Sequence, residues 1–139
     1  MNKPLVISAF VLGTLVGGFA VNVAQRTAAD RIFEIRTYTT APGQLPMLNQ
    51  RFRDHTVEIF KRHGMESVGY WVPIDTALAQ NTLVYVLAHP SRDAARQAWA
   101  DFGKDPEWMK VRAATEAEGL KVVKVTSVFA TPTDYSAIK

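Results

Sequence analysis

The residues best placed to do chemistry come early in the chain. Glu34, Arg36 and Tyr38 stand at alternate positions in the stretch Ile32–Tyr38. In a strand they share one face, and Phe33, Ile35 and Thr37 take the other. A guanidinium presents a planar fork to a carboxylate, and a phenol can donate a proton or polarise a carbonyl. Arg36 and Tyr38 can therefore converge on one small anion or carbonyl. The internal alternative is that Glu34 pairs with Arg36, or that the row lines the core of a dimer. His55 recurs at helical spacing with Leu48, Phe52, Ile59 and Phe60, so it is expected to face a sheet. There it could act as a general base or a haem ligand, or be a core histidine hydrogen-bonded to the backbone or a tyrosine. A lone histidine is no zinc site, which wants three protein ligands, and no metal is expected. Trp71, Tyr85, Trp99 and Trp108 are a large aromatic payload: core, or walls on which a flat ligand stacks. The catalytic candidates are Arg36, Tyr38 and His55, for a reaction the sequence does not name. The expected pocket adds Trp71, Tyr85, Trp99 and Trp108. No Gly-rich phosphate loop, Ser/His/Asp arrangement or paired-acid spacing rises above chance.

These residues need elements to hold them. Strand one spans Ile32–Thr39, and Thr40-Ala41-Pro42-Gly43 turns it. A helix is predicted over Leu45–His63, with Pro46 in its first turn and Gly64 as its left-handed stop. Strand two covers Ser67–Val72, a loop Pro73–Gln80, and strand three Thr82–His89, apolar enough to be covered on both faces. A second helix runs over Ser91–Phe102 with Ser91 as cap. Asp105-Pro106-Glu107 opens a third, which stops at Gly119, and strand four follows over Leu120–Phe129. His63 and His89 read as a helix-end and a strand-end residue. The order β-α-β-β-α-α-β makes an α+β, ferredoxin-like split βαβ sheet with helices on one face. The other face needs cover, and a second copy packed sheet to sheet would give a dimeric α+β barrel.

Composition bounds the function. The chain has 139 residues, formal net charge +3, 47% hydrophobic and 21% charged residues, which fits one globular domain, or one domain plus a targeting segment. Its basic residues are scattered without a stripe, so nucleic acid is not an expected partner. The absence of cysteine removes disulfides, thiolate catalysis and Cys-ligated zinc. Lys3 is the sole side-chain charge before Arg26, and the run between them is uncharged. A helical span needs roughly 20 residues, so the run reads as a signal peptide or an uncleaved membrane anchor. The expected layout is residues 1–24 as signal peptide or N-terminal membrane anchor, 25–31 as linker, 32–129 as the domain and 130–139 as a loose polar tail. The expected address is periplasmic or secreted, or anchored to the membrane with the domain on its outer side.

Taken together, Glu34-x-Arg36-x-Tyr38, Phe52, Arg62-His63-Gly64, Val68-Gly69-x-Trp71, Asn81 with Leu83-Val84-Tyr85, Trp99-x-x-Phe102 and Asp105-Pro106-Glu107-Trp108 resemble the NIPSNAP family over residues 32–129. The family is similar to the dimeric α+β barrel superfamily, which also holds small monooxygenases, haem-degrading enzymes and polyketide cyclases. The resemblance implies the fold and a homodimer, and no particular reaction. Familiar eukaryotic members are linked to mitochondria. The N-terminal run here lacks an arginine-rich amphipathic pattern, so that address does not carry over.

Three functions compete. The first is an exported domain binding a small hydrophobic or aromatic ligand between sheet and helices. The second is a cofactor-independent oxygenase or isomerase, with Arg36 holding an enolate or carboxylate and His55 or Tyr38 moving the proton. The third is a structural dimerisation module with its aromatics all in the core. No cofactor is expected; haem on His55 is the alternative.

Overall fold

The computed structural model of the chain describes residues 31–139. The expected signal or anchor, residues 1–24, and nearly all of the linker lie outside them. The elements are β1 (Ile32–Thr40), α1 (Leu45–Arg51), a π-helical segment (Phe52–Thr56), α2 (Val57–Arg62), β2 (Glu66–Trp71), a short α3 (Thr76–Ala79), β3 (Thr82–His89), α4 (Arg92–Lys104), α5 (Pro106–Ala117) and β4 (Val122–Ala130). The strands form one sheet in the order β2-β3-β1-β4, and every pairing is antiparallel. This is the split βαβ arrangement, with β1 and β3 central.

Local chemistry sets the helix limits. Pro46 sits in the first turn of α1, where its missing N–H costs no hydrogen bond. Gly64 and Gly119, at φ 71° and 105°, supply left-handed turns past the ends of α2 and α5. Ser91 accepts from the Ala94 amide and starts α4. Asp105 accepts from the Glu107 and Trp108 amides and starts α5.

The helices cover one face of the sheet. Leu48, Phe52, Ile59 and Phe60 pack with Leu83, Tyr85 and Leu87 of β3 and Phe102 of α4. Each buried side chain of this size stabilises the fold by about 1.5–3 kcal/mol relative to leaving it in water. Edge-to-face contacts bind the cluster: Phe52 meets Tyr85 at 5.2 Å between ring centres, and Phe60 meets Trp99 at 5.4 Å.

The sheet's other face is partly open. Ile35 of β1 remains 39% exposed, Val128 of β4 60% and Trp71 of β2 52%. The indole of Trp71 lies over Gly69, where an added Cβ would stand 2.6 Å from the ring. The tail is placed against this face. Pro132 and Ile138 share a hollow of about 250 Å³ with Phe33, Ile35 and Trp71. Arg31 Nε donates to the Lys139 carbonyl at 3.1 Å. The expected loose tail is thus partly docked on apolar surface that the polar sequence did not advertise.

Two further expectations are corrected. The long first helix carries a π-helical segment, in which the Val57 amide bonds the Phe52 carbonyl five residues back. The wider turn advances the register by one residue. Thr56, not His55, takes the buried position, and its hydroxyl donates to the Arg51 carbonyl at 3.2 Å. His55 is left half-buried and faces α5 rather than the sheet. The expected loop Pro73–Gln80 contains α3, one helical turn with no buried residue.

Candidate functional site

The row Glu34, Arg36, Tyr38 points toward the helices, which settles the face left open by the sequence. Glu34 is almost fully buried, and its carboxylate accepts four hydrogen bonds. Arg36 Nη1 donates to Oε1 at 2.5 Å and Ser127 Oγ of β4 at 2.7 Å. Trp99 Nε1 of α4 donates to Oε2 at 2.7 Å. His89 Nε2, equally buried at the end of β3, lies 3.0 Å from the same oxygen. An ionised carboxylate only accepts, so His89 carries its proton on Nε2. Burial alone would raise the Glu34 pKa. The hydrogen bonds from His89, Ser127, Trp99 and Arg36 outweigh it and hold the carboxyl at about 2.

Arg36 lies over Trp99, 4.1 Å from guanidinium carbon to ring centre. Its Nη2 lies 3.5 Å from the Tyr38 hydroxyl, at the limit of a hydrogen bond. In the sheet register Arg36 stands beside Tyr85 of β3 and Ser127 of β4. Burial would lower its pKa, but Tyr85, Tyr38 and Glu34 together raise it, so it stays a cation. Tyr85 is fully enclosed, its ring 5.3 Å from that of Tyr38, and burial pushes its phenol well above the ordinary value. It is therefore a neutral donor. Its hydroxyl and Arg36 Nε are both buried without a hydrogen-bond partner among the described residues. This is the polar equipment of the layer between sheet and helices: one fixed cation, two phenols, an aromatic wall.

The expected pocket residues divide. Arg36, Tyr38, Tyr85 and Trp99 come together. Trp108 is half-buried one ring further out, 4.5 Å from Phe102. Trp71 lies on the opposite face of the sheet, because its register partner Val84 places it one residue out of phase with Tyr70 and Tyr85. His55 lines a groove between α1, the π-helical segment and α5. That groove has a volume of about 450 Å³. Its buried member is Arg51, which the sequence reading left as one of several scattered bases. Arg51 Nη1 donates to Thr115 Oγ1 at 3.3 Å, and its guanidinium stacks 5.1 Å from Trp108. Among the described residues no cluster of three His, Asp or Glu side chains could hold a metal.

The NIPSNAP family model matches residues 33–137. The chain belongs to the NIPSNAP family. Its structure is similar to that of a NIPSNAP family protein of unknown function from Agrobacterium tumefaciens, at TM-score 0.68 and 24% identity, covering 80% of this chain and 96% of that one. It is also similar to two Streptomyces proteins. One is SnoaB of Streptomyces nogalater, a cofactor-independent oxygenase, at TM-score 0.51 and 19% identity over 78% of this chain and 100% of that one. The other is the ActVA-Orf6 monooxygenase of Streptomyces coelicolor in complex with nanaomycin D, at TM-score 0.51 and 16% identity over 78% and 92%. At these identities the likeness shows the fold alone, an α+β arrangement of a four-stranded antiparallel sheet with helices. No curated protein matches the chain.

Several NIPSNAP-like motif residues now have a physical role. Glu34, Arg36 and Trp99 belong to one hydrogen-bond network. The Arg62-His63 and Asp105-Glu107 pieces, far apart in sequence, meet: Arg62 pairs with Asp105 at 3.0 Å and Glu107 at 2.8 Å, and His63 Nε2 lies 2.8 Å from Asp105. His63, then the Trp108 amide, with Arg62 and the Glu107 amide, hold the Asp105 carboxyl far below its usual range. This knot ties the end of α2 to the corner between α4 and α5. His89 and Ser127 were missed as partners of Glu34. Their signal was available only through register, since both fall on the Glu34 face one strand away.

Proposed function

We propose that the chain is an exported, homodimeric NIPSNAP domain that binds a small aromatic molecule between sheet and helices. The observation carrying the reading is the pair of unsatisfied donors, Tyr85 Oη and Arg36 Nε, buried in one cluster walled by Trp99 and Tyr38. A buried donor left unpaired costs about 1–3 kcal/mol, so a bound oxygen acceptor there is stabilised by what it satisfies. The ligand's acceptor is a carbonyl, enolate or carboxylate oxygen, and its rings stack on Trp99 or Tyr38. The named ligand of the ActVA-Orf6 relative, nanaomycin D, supports the aromatic class. The open apolar strip of Ile35, Val128 and Trp71 supports a second copy as the cover of the other face. The uncharged run between Lys3 and Arg26 supports export.

An enzyme of the cofactor-independent oxygenase type is the second reading, supported by the SnoaB fold likeness. In it Arg36 holds a substrate enolate, and Tyr38 is the proton carrier within reach. His55 is not, because it faces α5. Thermal-shift titration with a panel of hydroxylated quinones and naphthoates tests the binding reading. At least one compound should raise the wild-type melting temperature, and Tyr85→Phe should reduce that shift. A panel that stabilises wild type and Tyr85→Phe equally would remove Tyr85 and the interior cluster from the site.

A further inference from the structure

We propose that the groove between α1 and α5 is a second, separate binding site, built on Arg51 and selective for small hydrophobic monocarboxylates. Arg51 is 5% exposed, yet no carboxylate among the described residues lies within ion-pair distance of it. One of its donors, Nη1, reaches Thr115 Oγ1, and Nε has no partner. A buried cation of this kind is costly unless paired, and its planar fork matches a carboxylate. The Trp108 ring lies 5.1 Å from the guanidinium carbon, a cation–π contact that helps hold Arg51 in place.

The groove that Arg51 lines has walls to match. Met47, His55 and Val111 flank it, each half-buried, and about 450 Å³ is within the range of small-molecule sites. Its rim carries Asp54, Glu107 and Glu118, all exposed, against the single exposed Lys110. Glu107 is already paired with Arg62 at 2.8 Å, which leaves Asp54 and Glu118 to disfavour a polyanion at the mouth, while one buried guanidinium attracts one negative charge. The combination favours a molecule with a single carboxylate and an apolar body over nucleotides and phosphorylated sugars. The groove shares no lining residue with the interior cluster of Arg36, Tyr38, Tyr85 and Trp99.

Amide NMR spectra of the isotope-labelled protein, titrated with benzoate, benzamide and pyrophosphate, test it. Benzoate should shift the Thr115, Val111 and Arg51 amides saturably, benzamide at least tenfold more weakly, and pyrophosphate not at all. Arg51→Met should weaken benzoate at least tenfold. Val111→Trp, which fills the groove without touching Arg51, should abolish the shifts and keeps the test open if Arg51→Met fails to fold. Equal shifts from benzoate and benzamide, or saturable pyrophosphate binding, would overturn the inference. So would benzoate shifts confined to Tyr85 and Ser127, an outcome that supports the interior site instead.

Discussion

Replacing Glu34 by Gln tests the polar network at its centre. The carboxylate accepts from Arg36 and Ser127 on one oxygen and from Trp99 and His89 on the other. An amide keeps one acceptor and turns the other into a donor, so one pair of donors faces an N–H₂. Arg36 meanwhile loses the anion that balances it. Breaking a buried ion pair from one side costs about 3–5 kcal/mol, against a total stability of about 5–15 kcal/mol for a domain. At roughly 4–8 °C per kcal/mol for about 100 residues, Glu34→Gln should lower the melting temperature by at least about 12 °C. The pH dependence gives a second reading of the same group. The folded pKa is held at about 2, below the ordinary 4.5. Between these values the unfolded chain binds the extra proton, so stability is present above about pH 4.5 and is lost as pH falls toward 2. A depression from 4.5 to about 2 is worth about 3–4 kcal/mol. Wild type should therefore converge on Glu34→Gln in acid. Urea unfolding at pH 7 and pH 3 measures both. A variant within about 1 kcal/mol of wild type at pH 7, or a gap that does not narrow in acid, would refute the network as described.

Other outcomes follow from single contacts. Ile35→Lys places a charge in the open apolar strip, and light scattering should give one chain's mass where wild type gives that of the proposed dimer, while circular dichroism stays unchanged. Gly69→Ala should push the Trp71 indole off its seat, read as a red shift of tryptophan emission, because the new methyl would stand 2.6 Å from the ring. His55→Ala, at a half-buried position facing a groove, should change stability by no more than about 0.5 kcal/mol, whereas Thr56→Arg at the buried position should prevent folding. Fusing residues 1–31 to an export-dependent reporter in a bacterial host should give activity outside the cytoplasm; a reporter that stays inside contradicts export.

The strand that carries Glu34, Arg36 and Tyr38 was legible because a period of two survives any tertiary context. So were the caps Ser91 and Asp105 and the stops Gly64 and Gly119, whose chemistry is local. What the sequence hid was non-local. The π-helical segment shifts the buried stripe from His55 to Thr56, and helical spacing counted at 3.6 residues per turn cannot show it. Arg51 reads as an ordinary surface base beside Arg53 until α5 closes over it. His89 reads as a strand end until antiparallel pairing sets it on the Glu34 face. Trp71 and Tyr85 look like equal members of an aromatic set, and only the sheet register sends them to opposite faces.

The central claim is that the space beside Arg36 and Tyr85 takes a ligand in a homodimer. Native mass spectrometry of the protein purified without denaturant tests it most directly. The account predicts a species of two chains plus the mass of a small aromatic molecule, released on denaturation and absent from Arg36→Met. Bare chains, with no mass gained after incubation with the quinone and naphthoate panel, would contradict it.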